Sequence, residues 1–261
     1  MSGTPAAART TSGSRKKSAP AGRSPGCRLL LTCEHGGNRV PARYARLFGG
    51  TKALLASHRG WDPGALPIAR VLATGLDAPL RFVLTTRLLV DPNRSLASPE
   101  LFSEFTRSLP EEERSRIIRL YYHRHRAEVE RMLCMEPAGD EPIVHIGIHT
   151  FTPVWKGKKR EVDVGVLFDP ERSREHRFSR RWIEEVRREL PNLVVRSNEP
   201  YRGSDDGLTT ELRQRIPPSR YLGIELEVSQ RLAAGSPDVR GKIRQGLLAS
   251  LRRALRETDF P

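Results

Sequence analysis

Leu29-Leu30-Leu31-Thr32-Cys33-Glu34-His35-Gly36-Gly37-Asn38 is an apolar triplet that runs through polar residues into a glycine pair. Three consecutive leucines, with no alternation of polarity, predict a strand covered on both faces, and the glycines mark where it opens into a loop. The same signature recurs along the chain. Residues 80–85, 142–149 (Ile143, Val144, Ile146, Ile148), 162–168, 193–196 and 221–228 read as short apolar strands. Between them lie helical patterns: short ones over 41–48 and 51–58, one from Asp62-Pro63 to Leu76, a charged amphipathic one over 110–134, and others near 173–189, 207–215 and 238–257. Strands alternating with amphipathic helices predict a three-layer α/β/α domain around a mostly parallel, mixed central sheet.

Charge and composition narrow the class. The chain has 261 residues, 37% of them hydrophobic, with a net charge of +14. That length buries one substantial core, and no apolar run approaches the roughly 18 residues of a membrane span. Five of the fourteen excess charges are Arg9, Arg15, Lys16, Lys17 and Arg23, in a Ser/Ala/Gly/Pro-rich stretch without acids. Residues 1–27 therefore read as a disordered basic tail and 28–261 as the folded domain. The other nine charges are dispersed, with Arg and Glu interleaved over 172–189, and no basic and aromatic residues alternate on a strand, so a nucleic-acid stripe is not expected. Three cysteines, Cys27, Cys33 and Cys134, lack metal-binding spacing and cannot all pair, which fits a reducing, cytoplasmic setting.

In open α/β sheets ligands gather beyond the carboxyl ends of the strands. His35, Arg87, His149 and the Glu225/Glu227 pair all fall at or just past predicted strand ends. A catalytic zinc site needs about three His or carboxylate ligands and an open position for water. His35 and His149 fit the first two places. The third is open between Glu34, beside His35, and Asp62, which is also placed as a helix cap; His58 is a further nearby candidate. Glu225 and Glu227, two apart, project from one face of a strand. They read either as the wet face of an edge strand or as a source of the general base of a hydrolase. Arg87 and the Asp91-Pro92-Asn93-Arg94 turn offer guanidinium groups for a substrate carboxylate or a developing oxyanion.

These residues sit in a recognisable set of blocks: Thr-Cys-Glu-His-Gly-Gly-Asn-Arg-Val-Pro (32–41), Gly-Trp-Asp-Pro-Gly-Ala (60–65), Thr-Arg-Leu-Leu-Val-Asp-Pro-Asn-Arg (86–94), His-Thr-Phe-Thr-Pro (149–153), Asp-Val-Gly-Val-Leu-Phe-Asp (163–169), Asn-Glu-Pro-Tyr (198–201) and Gly-Ile-Glu-Leu-Glu-Val-Ser-Gln (223–230). In this order, over about 28–232, the set resembles the N-formylglutamate amidohydrolases. The resemblance implies a zinc exopeptidase-like or aspartoacylase-like fold, with His35 and His149 as metal ligands. It further implies Asn93 and Arg94 as the carboxylate clamp, Arg87 as the carbonyl helper and Glu227 as the late base. Relatives of that fold carry Glu three residues after the first histidine. Here that residue is Asn38, so Glu34 or Asp62 must supply the third ligand and Asn38 is left as a polar substrate contact.

The sequence thus predicts zinc-dependent hydrolysis of a small N-acyl amino acid, N-formylglutamate by default. The rival expectation is a metal-free binding module whose basic surface recruits an acidic partner or nucleic acid.

Overall fold

The computed structural model of the chain describes residues 23–24, 26–134 and 141–258. Strand β2 (Cys27–Cys33) contains the Leu29-Leu30-Leu31 run and is covered on both faces as expected. The other strands are β1 (Arg23–Ser24), β3 (Leu80–Phe82), β4 (Ile143–Phe151), β5 (Val154–Trp155), β6 (Lys158–Lys159), β7 (Val164–Leu167), β8 (Val195–Ser197) and β9 (Tyr221–Ser229). Of the tail expected over 1–27, residues 1–22 and 25 lie outside the described residues. Arg23–Ser24 pairs antiparallel with the start of β2.

The main sheet runs β1-β2-β4-β9-β7-β8, with β3 beside the end of β2. β2, β3, β4 and β9 are parallel, whereas β7 lies antiparallel to β9 and parallel to β8. The sheet is therefore mostly parallel and mixed, and β9 is central. The edge-strand reading of Glu225 and Glu227 is thereby corrected: the strand has a neighbour on each side, and its residues are buried on both faces except for the partly exposed Glu225.

The helices are α1 (Lys52–Ala56), α2 (Ala65–Leu76), α3 (Glu111–Ile117), α4 (His123–Cys134), α5 (Ser173–Glu189), α6 (Leu208–Arg215), α7 (Gln230–Ala233) and α8 (Pro237–Glu257). None of the described helices is long and apolar enough to cross a membrane. Alternate residues of the central strands feed two cores. Val144, Ile146, Ile148, Ile224, Leu226 and Val228 pack with α2, α5 and α8 through Ile68, Leu72, Phe178, Trp182, Leu247 and Leu251. On the opposite face Leu30, Ile143 and Tyr221 pack with Val129 and Leu133 of α4 and Leu208 and Leu212 of α6. Glu175 of α5 takes three contacts of about 3 Å from Arg213 of α6 and a fourth from the Gly223 amide, a satisfied buried ion pair at the base of β9.

Two helices differ from expectation. The helix read as starting at Asp62 begins at Ala65, after Gly64 in the left-handed region, which frees Asp62 from capping. The helix read as continuous over 110–134 contains a π-helical turn over Ile118–Tyr122. Its buried positions show the insertion: Ile117 to Tyr122 is a step of five, whereas Tyr122, His125, Val129 and Leu133 follow at three and four. That shift of phase turns His125 and Arg126 of α4 inward.

The face of the sheet toward α4 and α6 carries a polar ladder. Thr32 Oγ1 lies 2.9 Å from His145 Nε2, and His145 Nδ1 lies 2.7 Å from the Tyr221 hydroxyl. Burial, partly opposed by Glu34, lowers the His145 imidazole from its ordinary 6.5 to about 4. The unfolded chain therefore binds the extra proton between those values, and stability falls as pH drops through that window, by up to about 3 kcal/mol. Urea unfolding of wild type and His145→Gln at pH 7 and pH 4 checks this: wild type is expected to lose more stability than the variant. Equal losses would contradict it.

Candidate metal centre and cleft

The loop leaving β2 is held flat against the segment that follows β3. Val83 N donates to Cys33 O (3.0 Å), Arg39 N to Leu84 O (2.9 Å) and Thr86 N to Arg39 O (2.9 Å). Gly37 makes this approach possible, because a Cβ there would stand 2.7 Å from Leu84 O. Asp62 N in turn donates to His35 O (2.9 Å), which draws the Gly60-Trp61-Asp62 loop onto the end of β2. His149 projects from β4 between β2 and β9, in register with Glu227.

Together these connections bring His35, Asp62 and His149 into one buried cluster. Asp62 Oδ2 lies 3.5 Å from His35 Nδ1 and 3.1 Å from His149 Nδ1. The opposite nitrogen of each imidazole faces another carboxylate: His35 Nε2 is 2.7 Å from Asp91 Oδ1, and His149 Nε2 is 3.4 Å from Glu34 Oε2. Glu34 Oε1 lies 3.1 Å from His125 Nε2. Arg87 pairs with Asp62 Oδ1.

The residues fit a divalent cation. Two imidazoles and a carboxylate are a zinc-type donor set, and donors bound near 2 Å at a tetrahedral angle stand about 3.3 Å apart, close to both spacings at Asp62. Among the described residues, His35 Nδ1 is buried without a hydrogen-bond partner, as is Glu227 Oε2 in the same cavity. A carboxylate behind each histidine is the arrangement that orients metal-bound imidazoles.

Charge balance agrees. Burial would raise the Asp62 carboxyl, but Arg87, His35 and His149 outweigh it and hold it well below the usual carboxylate range. Asp91 is likewise held down against burial by His35, and Glu34 by its hydrogen bond with His125 and by the nearby His149. His149 is pushed well above its ordinary value by Asp62 and Glu34, although burial works the other way. Burial, reinforced by Asp62 and Glu225 and opposed by His149, raises Glu227 to about 8. A pocket so rich in buried carboxyl groups is stabilised by a dication.

The cluster forms the floor of a cavity of about 580 Å³, with Arg87, Arg94, Glu225 and Glu227 on its walls and Trp155 and Tyr201 at its mouth. Glu225 Oε1 accepts from Thr209 Oγ1 (3.1 Å), while Glu227 is buried and its Oε2 has no partner among the described residues. Gly165 of β7 faces Glu227, and a Cβ there would collide with the Glu199 carbonyl oxygen. The segment that follows β4 contains the β5–β6 hairpin; beyond it, the Arg160 guanidinium lies 5.4 Å from the Trp155 ring and 5.0 Å from that of Tyr201. His58 also lines the cavity and meets Trp155 edge-on.

The candidates separate by position. Asp62, rather than Glu34, stands in one cluster with the two histidines; Glu34 sits behind His149. Asn93 lines the cavity, but its Oδ1 accepts from Leu208 N (2.9 Å) at the start of α6. Arg94 also lines it, with one nitrogen on Asp206 O (2.8 Å) and the other on Glu100 (2.9 Å). Asn38 is set apart: it is not among the residues lining the cavity, and its amide donates to Leu55 O (3.0 Å). Two site residues escaped the sequence reading. Asp91 was legible only as a turn former, and His125 only as a polar interruption of the Tyr122, Val129, Leu133 stripe.

Fold and site define an α/β protein with a His–Asp–His cluster at the carboxyl edge of a mostly parallel sheet, the class of a hydrolase with a candidate metal centre. The chain belongs to the N-formylglutamate amidohydrolase family, whose model matches residues 27–234. It is similar to a gene product of Agrobacterium tumefaciens of known structure, at 31% identity over 87% of this chain and 90% of that one, with a TM-score of 0.75. The N-formylglutamate amidohydrolase from Ralstonia eutropha JMP134 shares the fold at 17% identity, over 87% of this chain and 92% of that one, with a TM-score of 0.56. No curated protein matches the sequence.

Proposed function

We propose that the protein hydrolyses the amide bond of a small N-acyl amino acid, with N-formylglutamate as the default substrate, and that His35, Asp62 and His149 hold a zinc ion for the purpose. The observation that carries this reading is the His–Asp–His cluster, backed by Asp91 and Glu34, beside an unpartnered buried Glu227 oxygen in a cavity of substrate size. A zinc ion so held supplies Lewis acidity, polarising the acyl carbonyl and acidifying water.

The chain's own groups do the rest. Glu227 Oε2 takes a proton from the attacking water and returns it to the leaving nitrogen. Arg87 keeps Asp62 in place through one nitrogen, and its unpartnered Nε leaves a donor for the developing oxyanion. Asn93 anchors α6 and so fixes the wall against which the substrate lies. Arg94 binds the carboxylate of the amino-acid half. Its present partner Glu100 is largely exposed, and a surface pair of that kind is weak enough to be displaced by a bidentate substrate.

Arg94→Gln is accordingly expected to raise KM about 10- to 100-fold for carboxylate substrates and to change kcat little, because it removes about 1.5–3 kcal/mol of charge-assisted binding. Steady-state kinetics on an N-acyl amino acid and on its carboxamide check this. An equal loss on both substrates would remove Arg94 from the clamp. The function as a whole is tested by screening N-formyl, N-acetyl and peptide substrates with and without added zinc: zinc-dependent release of a free amino acid supports it, and no hydrolysis of any of them overturns it.

A further inference from the structure

Glu34 and His125 are both buried, and neither lines the cavity. They therefore do not meet substrate, yet they continue the line of contacts that starts at the cluster. His149 turns Nδ1 toward Asp62 and Nε2 toward Glu34 Oε2 at 3.4 Å, while Glu34 Oε1 is fixed from the far side by His125 Nε2 at 3.1 Å. An imidazole that coordinates through Nδ1 carries its proton on Nε2, so the carboxylate facing Nε2 sets the orientation and donor strength of the ring. The 3.4 Å separation makes no aligned hydrogen bond as it stands. Its closure depends on where Glu34 is held, and the contact that holds Glu34 from α4 is His125.

The same helix buttresses the other histidine. Arg126, the next residue, donates from Nε to Pro92 O (3.0 Å) and from Nη2 to Arg94 O (2.9 Å). It thus braces the turn from which Asp91 reaches His35. The π-helical turn before α4 is what brings both residues onto the inward face.

Resting on the metal-dependent reading above, we infer that His125 is a positioning residue for the metal centre, acting through Glu34 to orient His149 for coordination. Without the His125 donor, Glu34 is free to turn away, and His149 loses the partner that fixes its ring. Removal of a partner at this remove from a metal costs about 10- to 100-fold in affinity.

The test is the zinc dissociation constant of the full chain, measured by competition with a chromophoric chelator. His125→Leu and Glu34→Gln are each expected to weaken zinc binding about 10- to 100-fold. The double variant is expected to be no weaker than Glu34→Gln, because His125 acts through that carboxylate. His125→Gln, which can present an amide donor near the Nε2 position, is expected to bind within a few-fold of wild type. Unchanged affinity in His125→Leu, or losses that multiply in the double variant, would overturn the inference. If His125→Leu fails to give a native circular dichroism spectrum, His125→Asn takes its place: its shorter amide falls short of Glu34, and affinity equal to that of His125→Gln would be decisive against the role. The two readings fail separately. Wild type that binds zinc without hydrolysing amides removes the proposed function and leaves the His125 result standing, whereas wild type that binds no zinc removes both.

Discussion

Replacing His149 by alanine is expected to strip the chain of bound divalent metal and to lower amide hydrolysis by about 10³-fold or more, because acidified water and a polarised carbonyl are lost together. The geometry makes this substitution the most damaging at the site. His149 stands between two carboxylates, with Nδ1 3.1 Å from Asp62 and Nε2 3.4 Å from Glu34, so its loss removes both a donor and the group that separates two anions. Asp62 keeps Arg87 and Glu34 keeps His125, so the fold is expected to survive. Metal analysis, circular dichroism and hydrolysis rates on the same preparation check the prediction. A folded variant with full metal and full activity would remove His149 from the site.

The second large effect concerns Glu227. Glu227→Gln keeps shape and volume but cannot accept a proton, and a positioned general base contributes about 10²- to 10⁴-fold. kcat is expected to fall by that factor while metal content stays at the wild-type level and KM changes little. Glu225→Gln, which disturbs a contact with Thr209, is expected to be much milder. The comparison resolves which of the two acids is the base. A larger loss at Glu225 would exchange their roles.

Much of this was legible before the structure. Short apolar strands ending in polar residues announced β2, β4 and β9, and the rule that ligands gather beyond the carboxyl ends of such strands pointed His35, His149 and Glu227 to one cleft; the structure makes the three strands parallel neighbours. The third member of the cluster was not legible. Asp62-Pro63 carries the local signature of a helix start, and only a long-range bond from Asp62 N to His35 O shows that the residue serves the cluster instead. Glu34 beside His35 was an equally good candidate by sequence, but both residues lie in the turn that leaves β2, and there Glu34 is held by His125 behind the far nitrogen of His149. Asn38, which occupies the expected carboxylate position, lies beyond the point where the chain has turned to meet Leu55. His125 was hidden by the π-helical turn, since a helix drawn at 3.6 residues per turn from Pro110 cannot carry one buried stripe across a step of five.

The central claim is that one divalent ion, held by His35, Asp62 and His149, is required for amide hydrolysis. The most direct test removes the metal with a chelator, confirms the folded state, and titrates zinc back while following release of the free amino acid from an N-formyl amino acid. Activity is predicted to be lost on removal and to rise linearly to a plateau at one equivalent per chain. Full hydrolytic activity in the metal-free protein would contradict the account.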